Sequence, residues 1–415
     1  MPLSDADIEE EQRHFSNVVA TFRKYSSYHL AANNRRRKDL FTLPQADQVL
    51  LDQLGYKTKL DEVDKAISAN EQFLNQIVVD PEIFGGDEEV PEEEDEATVP
   101  DSSPLVDTIS QISQSSHSHS HSHSSHSHSH SHSHSPSHSH SSRKEYKPTA
   151  FDMDKLRSTL KQLVRDWSAE GREERETSYG PMKEALLAHF SDIPEEERRN
   201  FRVLVPGSGL GRLAYDVASL GFACQGNEFS HYMLLASFLI LNKTERPNMH
   251  TIYPYVHSFS NLPDRASLLR AITIPDVEPT LPRGSVFSLV AGDFEEIYGK
   301  ESDPNEPQAG LWDAIMTCFF IDTAKNIVNY LRVIHKILAP GGVWINLGPL
   351  LWHWEDNNTN DPSVELDLVE VKQLARMVGF EIENERTIDA TYTTNSRGML
   401  GYTYRTAFWT AKKII

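Results

Sequence analysis

The sequence predicts an α/β protein built on one doubly wound, mostly parallel sheet, with a helical region ahead of it. Three observations carry this. Contiguous aliphatic runs such as Val203-Leu-Val205 have the composition of strands buried on both faces. They alternate with amphipathic stretches of helical period, as a doubly wound sheet requires. Between the first run and its helix stand Gly207, Gly209 and Gly211. Glycines at a strand-to-helix turn let the backbone approach a ligand, and the helix N-terminus behind them favours anionic groups.

Taken in order, residues 6–80 are helical in pattern. Phe15, Val18, Val19, Phe22 and Tyr25 form one apolar stripe, Pro44 opens a short helix with Val49, Leu50, Leu51 and Leu54, and a third helix carries Val63, Ile67, Phe73, Leu74 and Ile77. The basic cluster Arg35-Arg-Arg-Lys38 is read as a solvated helix end, with a nuclear address or phosphate contact as the alternative. Residues 81–146 are expected to form a disordered linker. An acidic run is followed by a Ser/His repeat, Ser115–Ser142, holding 11 of the 19 histidines, with almost nothing to bury. It is read as a passive linker, with weak, nonspecific binding of transition metals as the alternative, and no catalytic histidine is placed in it.

The catalytic domain is expected over 147–415. Helices around Met153–Trp167 and Glu173–Phe190 precede the glycine turn, and Arg212–Leu220 follows it, closed by Gly221. A second strand, Phe222–Glu228, ends in a carboxylate 21 residues beyond Gly207, the spacing at which an acid meets ribose hydroxyls. Then come a helix at His231–Leu241 and an insertion, 242–285, expected to be a lid or specificity element. Strands ending at Asp293-Phe294, at Asp322 and at Leu347 alternate with a helix at Lys325–Leu338, which Pro340-Gly-Gly342 should stop. After a helix at Val364–Val378, strands Phe380–Thr387 and Tyr404–Lys412 close the chain as a terminal hairpin.

Composition narrows the function. A formal net charge of −21 argues against a protein that wraps nucleic-acid backbone, although nine of the acids lie in the single run Asp87–Asp101. Two cysteines give no disulfide framework and suit a reducing compartment. With no apolar run of spanning length and no signal core, the expectation is a soluble cytoplasmic protein with no membrane partner. A nuclear location and a homodimer stay open.

Ligands of open α/β sheets bind at the carboxyl ends of the strands. Those ends are Gly207–Gly211, Glu228, Asp293 with Phe294, Cys318–Asp322 and Gly348–His353. The dinucleotide pattern G-x-G-x-x-G needs glycine at 212, where Arg212 stands. The observed G-x-G-x-G looks instead like the loop of S-adenosyl-L-methionine (AdoMet) methyltransferases, which accommodates no pyrophosphate.

The runs Leu-Val-Pro-Gly-Ser-Gly-Leu-Gly-Arg-Leu-Ala, Gln-Gly-Asn-Glu-Phe-Ser, Ala-Gly-Asp-Phe-Glu-Glu-Ile-Tyr, Cys-Phe-Phe-Ile-Asp-Thr-Ala and Trp-Ile-Asn-Leu-Gly-Pro-Leu-Leu-Trp-His resemble the carnosine N-methyltransferase family over about 150–410. The resemblance implies a class I, seven-stranded Rossmann-like methyltransferase sheet and methyl transfer from AdoMet to an imidazole nitrogen of histidine-containing dipeptides. It assigns the cofactor to Gln162, Arg165, Gly207 with its companions Gly209 and Gly211, Glu228, Asp293, Phe294 and Cys318. It assigns the substrate and the catalysis to Asp322, His353, Tyr392 and Tyr404. Plainer roles stay open: a surface ion pair for Arg165, a turn for Asp293, a helix N-cap for Asp322, core packing for His353, ordinary strand or loop aromatics for the tyrosines. Methylation of protein histidine or RNA, or a non-catalytic scaffold, are the competing functions. The Asn/Asp-Pro-Pro-Tyr/Phe motif of exocyclic-amine methyltransferases is replaced by Cys318-Phe-Phe-Ile-Asp322, which disfavours nucleobase amines.

Overall fold

The computed structural model describes residues 5–79, 146–299, 308–357 and 362–414, so the acidic run and the Ser/His tract lie outside the described residues. The described helices are α1 (Asp5–Thr42), α2 (Gln45–Gln53), α3 (Tyr56–Ile77), α4 (Ala150–Trp167), α5 (Arg172–His189), α6 (Arg212–Ser219), α7 (His231–Lys243), α8 (Arg265–Leu268), α9 (Ile327–Ile337) and α10 (Leu368–Val378). The strands are β1 (Arg202–Pro206), β2 (Ala223–Glu228), β3 (His250–Ile252), β4 (Ile272–Ile274), β5 (Phe287–Ala291), β6 (Trp312–Cys318), β7 (Leu338–Gly348), β8 (Phe380–Ala390) and β9 (Tyr404–Lys413).

Seven strands form the main sheet in the order β5-β2-β1-β6-β7-β9-β8. All pairings from β5 to β7 are parallel, and β9 runs antiparallel to both β7 and β8. This is the class I methyltransferase sheet with its terminal hairpin, as expected. After β1 the chain proceeds outward through β2 to β5, then returns to the other side of β1 with β6. The strand order therefore reverses between β1 and β6, and the crevice above that point is where ligands bind in such sheets.

The N-terminal helices belong to the same packed body. Val18, Phe22 and Tyr25 of α1 and Val63, Ile67 and Leu74 of α3 share one core with Leu156, Leu160 and Leu163 of α4 and Tyr232 and Leu235 of α7. Each large apolar side chain buried in this way contributes roughly 1.5–3 kcal/mol. By contrast, α2 buries no residue, and Val49, Leu50 and Leu54 of its expected apolar stripe are exposed.

Several expectations need correcting. The insertion 242–285, expected to be a lid or specificity element, holds the short antiparallel pair β3–β4 and is tied to the N-terminal helices. Asn70 of α3 donates to the Tyr253 carbonyl (3.0 Å) and accepts from the Tyr253 N–H (2.7 Å), and Arg265 donates to the Gly55 carbonyl (2.9 Å). Its buried Ile252, Ile272 and Ile274 are too scattered among prolines and polar residues to reveal a periodicity. The basic cluster lies in the last turns of α1, where Arg35 and Lys38 are exposed as expected but Arg36 and Arg37 are half-buried and pack. Arg36 sits 3.9 Å over the Phe259 ring, and Arg37 pairs with Asp61 (2.7 Å) and Asp64 (2.6 Å). Pro340-Gly-Gly342 does not separate helix from strand, because β7 already begins at Leu338. That residue pairs with Trp312, and a register shift between Trp312 and Ala314 absorbs the extra residues. The last helix starts at Leu368, where Asp367 and Glu370 form a capping box, four residues later than the apolar pattern suggested.

Candidate active site

At the end of β1 the three glycines take φ values of +63°, +56° and +78°. A Cβ on Gly207 would stand 2.5 Å from Phe320 Cδ2, so a side chain there has neither room nor an accessible backbone. Gly211 caps α6 in the left-handed conformation and faces Leu241 and Leu289, so its side of the turn serves packing. Glu228, at the end of β2, accepts from the N–H groups of Gly209 (2.8 Å), Phe229 (2.9 Å) and Ser230 (2.8 Å). Burial raises its carboxyl pKa, and these three donors oppose the shift.

The C-terminal turn of α4 faces this loop. Arg165 is only 4% exposed, which removes the surface ion-pair reading. Its Nη1 donates to Asp166 Oδ1 (2.8 Å) and to the Tyr179 hydroxyl (2.8 Å). Its Nε and Nη2 are buried without a hydrogen-bond partner, as are Gln162 Oε1 and Ser208 Oγ. Nε and Nη2 form one edge of the guanidinium, the edge that meets a carboxylate with two parallel bonds. An orphaned bidentate donor in a closed site fits the carboxylate of an amino-acid moiety such as the methionine end of AdoMet. Cys318, at the end of β6, is at most a weak acceptor for Arg165: burial pushes its thiol up to about 11, against the charge and hydrogen bond of Arg165.

Around Arg165 the aromatic residues close in. The guanidinium carbon lies 4.8 Å from the Tyr179 and Tyr392 ring centroids and 6.0 Å from that of Phe319. Phe319 in turn lies 4.7 Å from the Tyr392 ring and 5.9 Å from that of Tyr404. Gln162 Nε2 donates to the Tyr392 hydroxyl. Gln162, Arg165, Cys318, Tyr392 and Tyr404, from four separate stretches of chain, are therefore brought together.

Asp322 follows β6 in a short 3₁₀ turn and is 3% exposed. It does not cap α9, whose N-cap is Asn326. Its Oδ2 accepts from the Leu351 N–H (2.9 Å), and its carbonyl accepts from the His353 N–H (3.1 Å). Burial raises its carboxyl pKa, with the Leu351 N–H and the nearby His353 opposing. The imidazole of His353 is exposed, so it is not a core histidine. Its loop is pinned by Trp352 Nε1 on the Leu366 carbonyl (3.1 Å) and Trp354 Nε1 on the Thr323 carbonyl (3.2 Å).

Asp293 and Phe294 end β5 at the far side of the crevice. Asp293 Oδ1 accepts from the N–H groups of Glu295 (2.8 Å) and Glu296 (3.1 Å), the turn-forming role noted as its alternative. The Phe294 ring is buried against Tyr298, Phe320 and Tyr330, so it shapes the site from behind, through Phe320 and Gly207.

A family model described as carnosine N-methyltransferase matches residues 142–414. The chain belongs to the carnosine N-methyltransferase family. The member from Mus musculus is 37% identical over 407 residues, covering 97% of this chain and 86% of that protein. The member from Schizosaccharomyces pombe is 46% identical over 270 residues, covering 63% and 71%. A third, from Drosophila melanogaster, is 34% identical over 413 residues, covering 98% and 80%. Carnosine N-methyltransferases are AdoMet-dependent enzymes, and the unpartnered guanidinium edge and open glycine turn suit that cofactor.

Three residues of this site were not singled out from the sequence. Asp166 and Tyr179 orient Arg165, and the Tyr179 hydroxyl donates to Asp166 Oδ1 (3.0 Å). Phe319 has φ +51°, a conformation rare for an aromatic residue, and Gly348 makes room for it, since a Cβ there would meet the Phe319 backbone at 3.2 Å. The adjacency of Arg165 to an acid was a usable signal for Asp166. No sequence signal announces the left-handed Phe319. Among the described residues no group of three or more His, Cys, Asp or Glu could hold a metal ion, and no helix is long and apolar enough to cross a membrane.

Proposed function

We propose that the chain transfers the methyl group of AdoMet to an imidazole nitrogen of histidine-containing dipeptides, converting carnosine to anserine and accepting homocarnosine. The observation that carries this is Asp322. It is a buried carboxylate of raised pKa, fixed through one oxygen at the end of β6 next to an aromatic pocket.

Bound AdoMet supplies an electrophilic methyl group. Arg165 and Gln162 hold its amino-acid end, Gly207 and Gly209 let the backbone approach it, Glu228 receives the ribose hydroxyls, and Asp293 borders the adenine, with Phe294 supporting that wall from behind through Phe320. The acceptor imidazole needs no strong base, because with a free pKa near 6.5 it is mostly neutral at pH 7. What it needs is a chosen tautomer. Asp322 accepts the N–H of one ring nitrogen and leaves the other lone pair free to attack. Its raised pKa makes it a stronger acceptor than an ordinary carboxylate, so it also stabilises the positive charge that grows on the ring. His353 is the second partner for the imidazole, and Tyr392 and Tyr404 seat the peptide portion. Most of the acceleration comes from holding both reactants in line.

The free thiols Cys224 and Cys318 support a reducing, cytoplasmic setting. The stretch 81–146 takes no part in this scheme, and deleting 87–142 should leave turnover unchanged. The decisive experiment incubates the purified protein with labelled AdoMet and, separately, carnosine, homocarnosine, free histidine, RNA and histidine-bearing protein. Label on the imidazole of a dipeptide supports the proposal. Label confined to RNA or protein overturns it.

A further inference from the structure

Arg212 occupies the position where a dinucleotide loop would carry glycine, and nothing above gives its side chain a task. The guanidinium is buried, and its Nε donates to Asp216 Oδ1 (2.8 Å). Its Nη1 donates both to Asp276 Oδ1 (2.6 Å) and to the carbonyl of Asp166 (2.9 Å). Arg175, 1% exposed, mirrors it from α5. Its Nη2 donates to Asp276 Oδ2, and its Nη1 donates to the carbonyls of Ser168 (2.6 Å) and Arg165 (3.2 Å). Asp276 completes the arrangement by donating its own N–H to the Trp167 carbonyl (2.8 Å).

The carbonyls of residues 165–168 are those that a helix end leaves without intrahelical partners. Here all four are satisfied, and two of the donors are cations placed where the helix dipole favours positive charge. Two guanidiniums this close repel each other; Asp276, held between them, offsets both charges, and Asp216 adds a second carboxylate at Arg212. Removing one partner of a buried ionic cluster strands the others, which is far more disruptive than the net contribution of the cluster suggests. The same helix turn carries Arg165, whose open edge has to meet its ligand within about an ångström to count.

We propose that Asp276 is a positioning residue for the methyl donor: by holding Arg175 and Arg212 against the carbonyls that end α4, it fixes the direction in which Arg165 presents its unpartnered guanidinium edge. This rests on the reading of Arg165 as the partner of the cofactor carboxylate. It also explains why the loop carries arginine at 212, and it gives the insertion 242–285 a role in cofactor binding through a residue that does not touch the cofactor.

The test compares two ligands in the full-length protein by equilibrium binding. S-adenosylhomocysteine carries the amino-acid end that Arg165 would meet, and 5′-methylthioadenosine lacks it. Asp276→Asn should weaken S-adenosylhomocysteine about tenfold and leave 5′-methylthioadenosine within about twofold. Equal losses on both ligands, or no loss on either, overturn the proposal. Arg165→Gln separates the two layers of the argument. If Arg165→Gln is selective for S-adenosylhomocysteine and Asp276→Asn is not, the positioning role fails alone. If Arg165→Gln is itself unselective, the reading of Arg165 fails and takes the proposal with it. Should Asp276→Asn not fold, Arg212→Lys keeps the charge beside Asp276 but drops the bridge to the Asp166 carbonyl. The same selective loss is expected from it, and its absence overturns the proposal.

Discussion

The two halves of the crevice are built differently. The donor half, formed by the ends of β1 and β2 and the last turn of α4, is braced by buried ion pairs and by backbone donors aimed at one carboxylate. The acceptor half, Asp322 with His353, Tyr392 and Tyr404, is carried by a short 3₁₀ turn, two loops and the first residue of β9, and of its four side chains only Asp322 is buried. A cofactor common to every turnover suits a preformed site, whereas a peptide that must enter and leave suits one with open walls. The contrast predicts that lesions in the donor half act on cofactor affinity and folding, and lesions in the acceptor half act on turnover.

The largest effect is expected at Asp322. Asp322→Asn should lower kcat by about 10²–10³ while leaving the AdoMet Kd within about twofold. Isothermal titration alongside initial rates checks this, and comparable losses in both would move Asp322 to the donor side. Next is Gly207→Ala. The left-handed backbone and the 2.5 Å approach to Phe320 should cost about 2 kcal/mol of stability, together with a loss of AdoMet affinity. A denaturant melt that leaves the variant unchanged would show the donor half to be softer than its geometry implies.

Acid should reach the donor half from behind. The helix α4 leans on α1, whose His29 lies 4.3 Å from His257 of the insertion. Burial lowers the His29 pKa to about 3 and holds His257 well below its usual value. Both therefore bind a proton more readily when unfolded, so their contribution is intact above about pH 6.5 and is lost as pH falls below it. Between pH 7 and 5 the His29 contribution alone should fall by about 2 kcal/mol, with His257 adding a loss in the same direction. The Tm of the wild type should drop over that interval, and that of His29→Leu should drop less. The smallest effect is expected from Glu228→Gln, which keeps the shape of the acceptor but weakens its hold on ribose hydroxyls and N–H groups. AdoMet affinity should fall about tenfold with the dipeptide KM unchanged.

Much of the donor half was legible in the sequence because strand, glycine turn, helix and terminal acid follow one another within 202–228. The strand ends likewise brought Asp293, Cys318 and Asp322 to one edge. Local pattern failed where distant segments decide the outcome. How the insertion is held could not be read locally because the partners that satisfy it, Asn70, Gly55 and Arg175, lie on other elements. The packing of Arg36 and Arg37 within the basic cluster was hidden because Phe259 and Asp64 are far off in sequence. Tyr392 and Tyr404 carried no signal beyond the family resemblance, since what makes them neighbours is Phe319 in a conformation that sequence does not advertise.

The shared core of α1, α3 and α4 has a practical corollary for anyone producing this protein. The matched family segment, 142–414, looks like a self-sufficient unit for expression, yet cutting there would strip the cover from Leu156, Leu160 and Tyr232. Such a fragment should be prone to clump, and inactivity in it would say nothing about the chemistry.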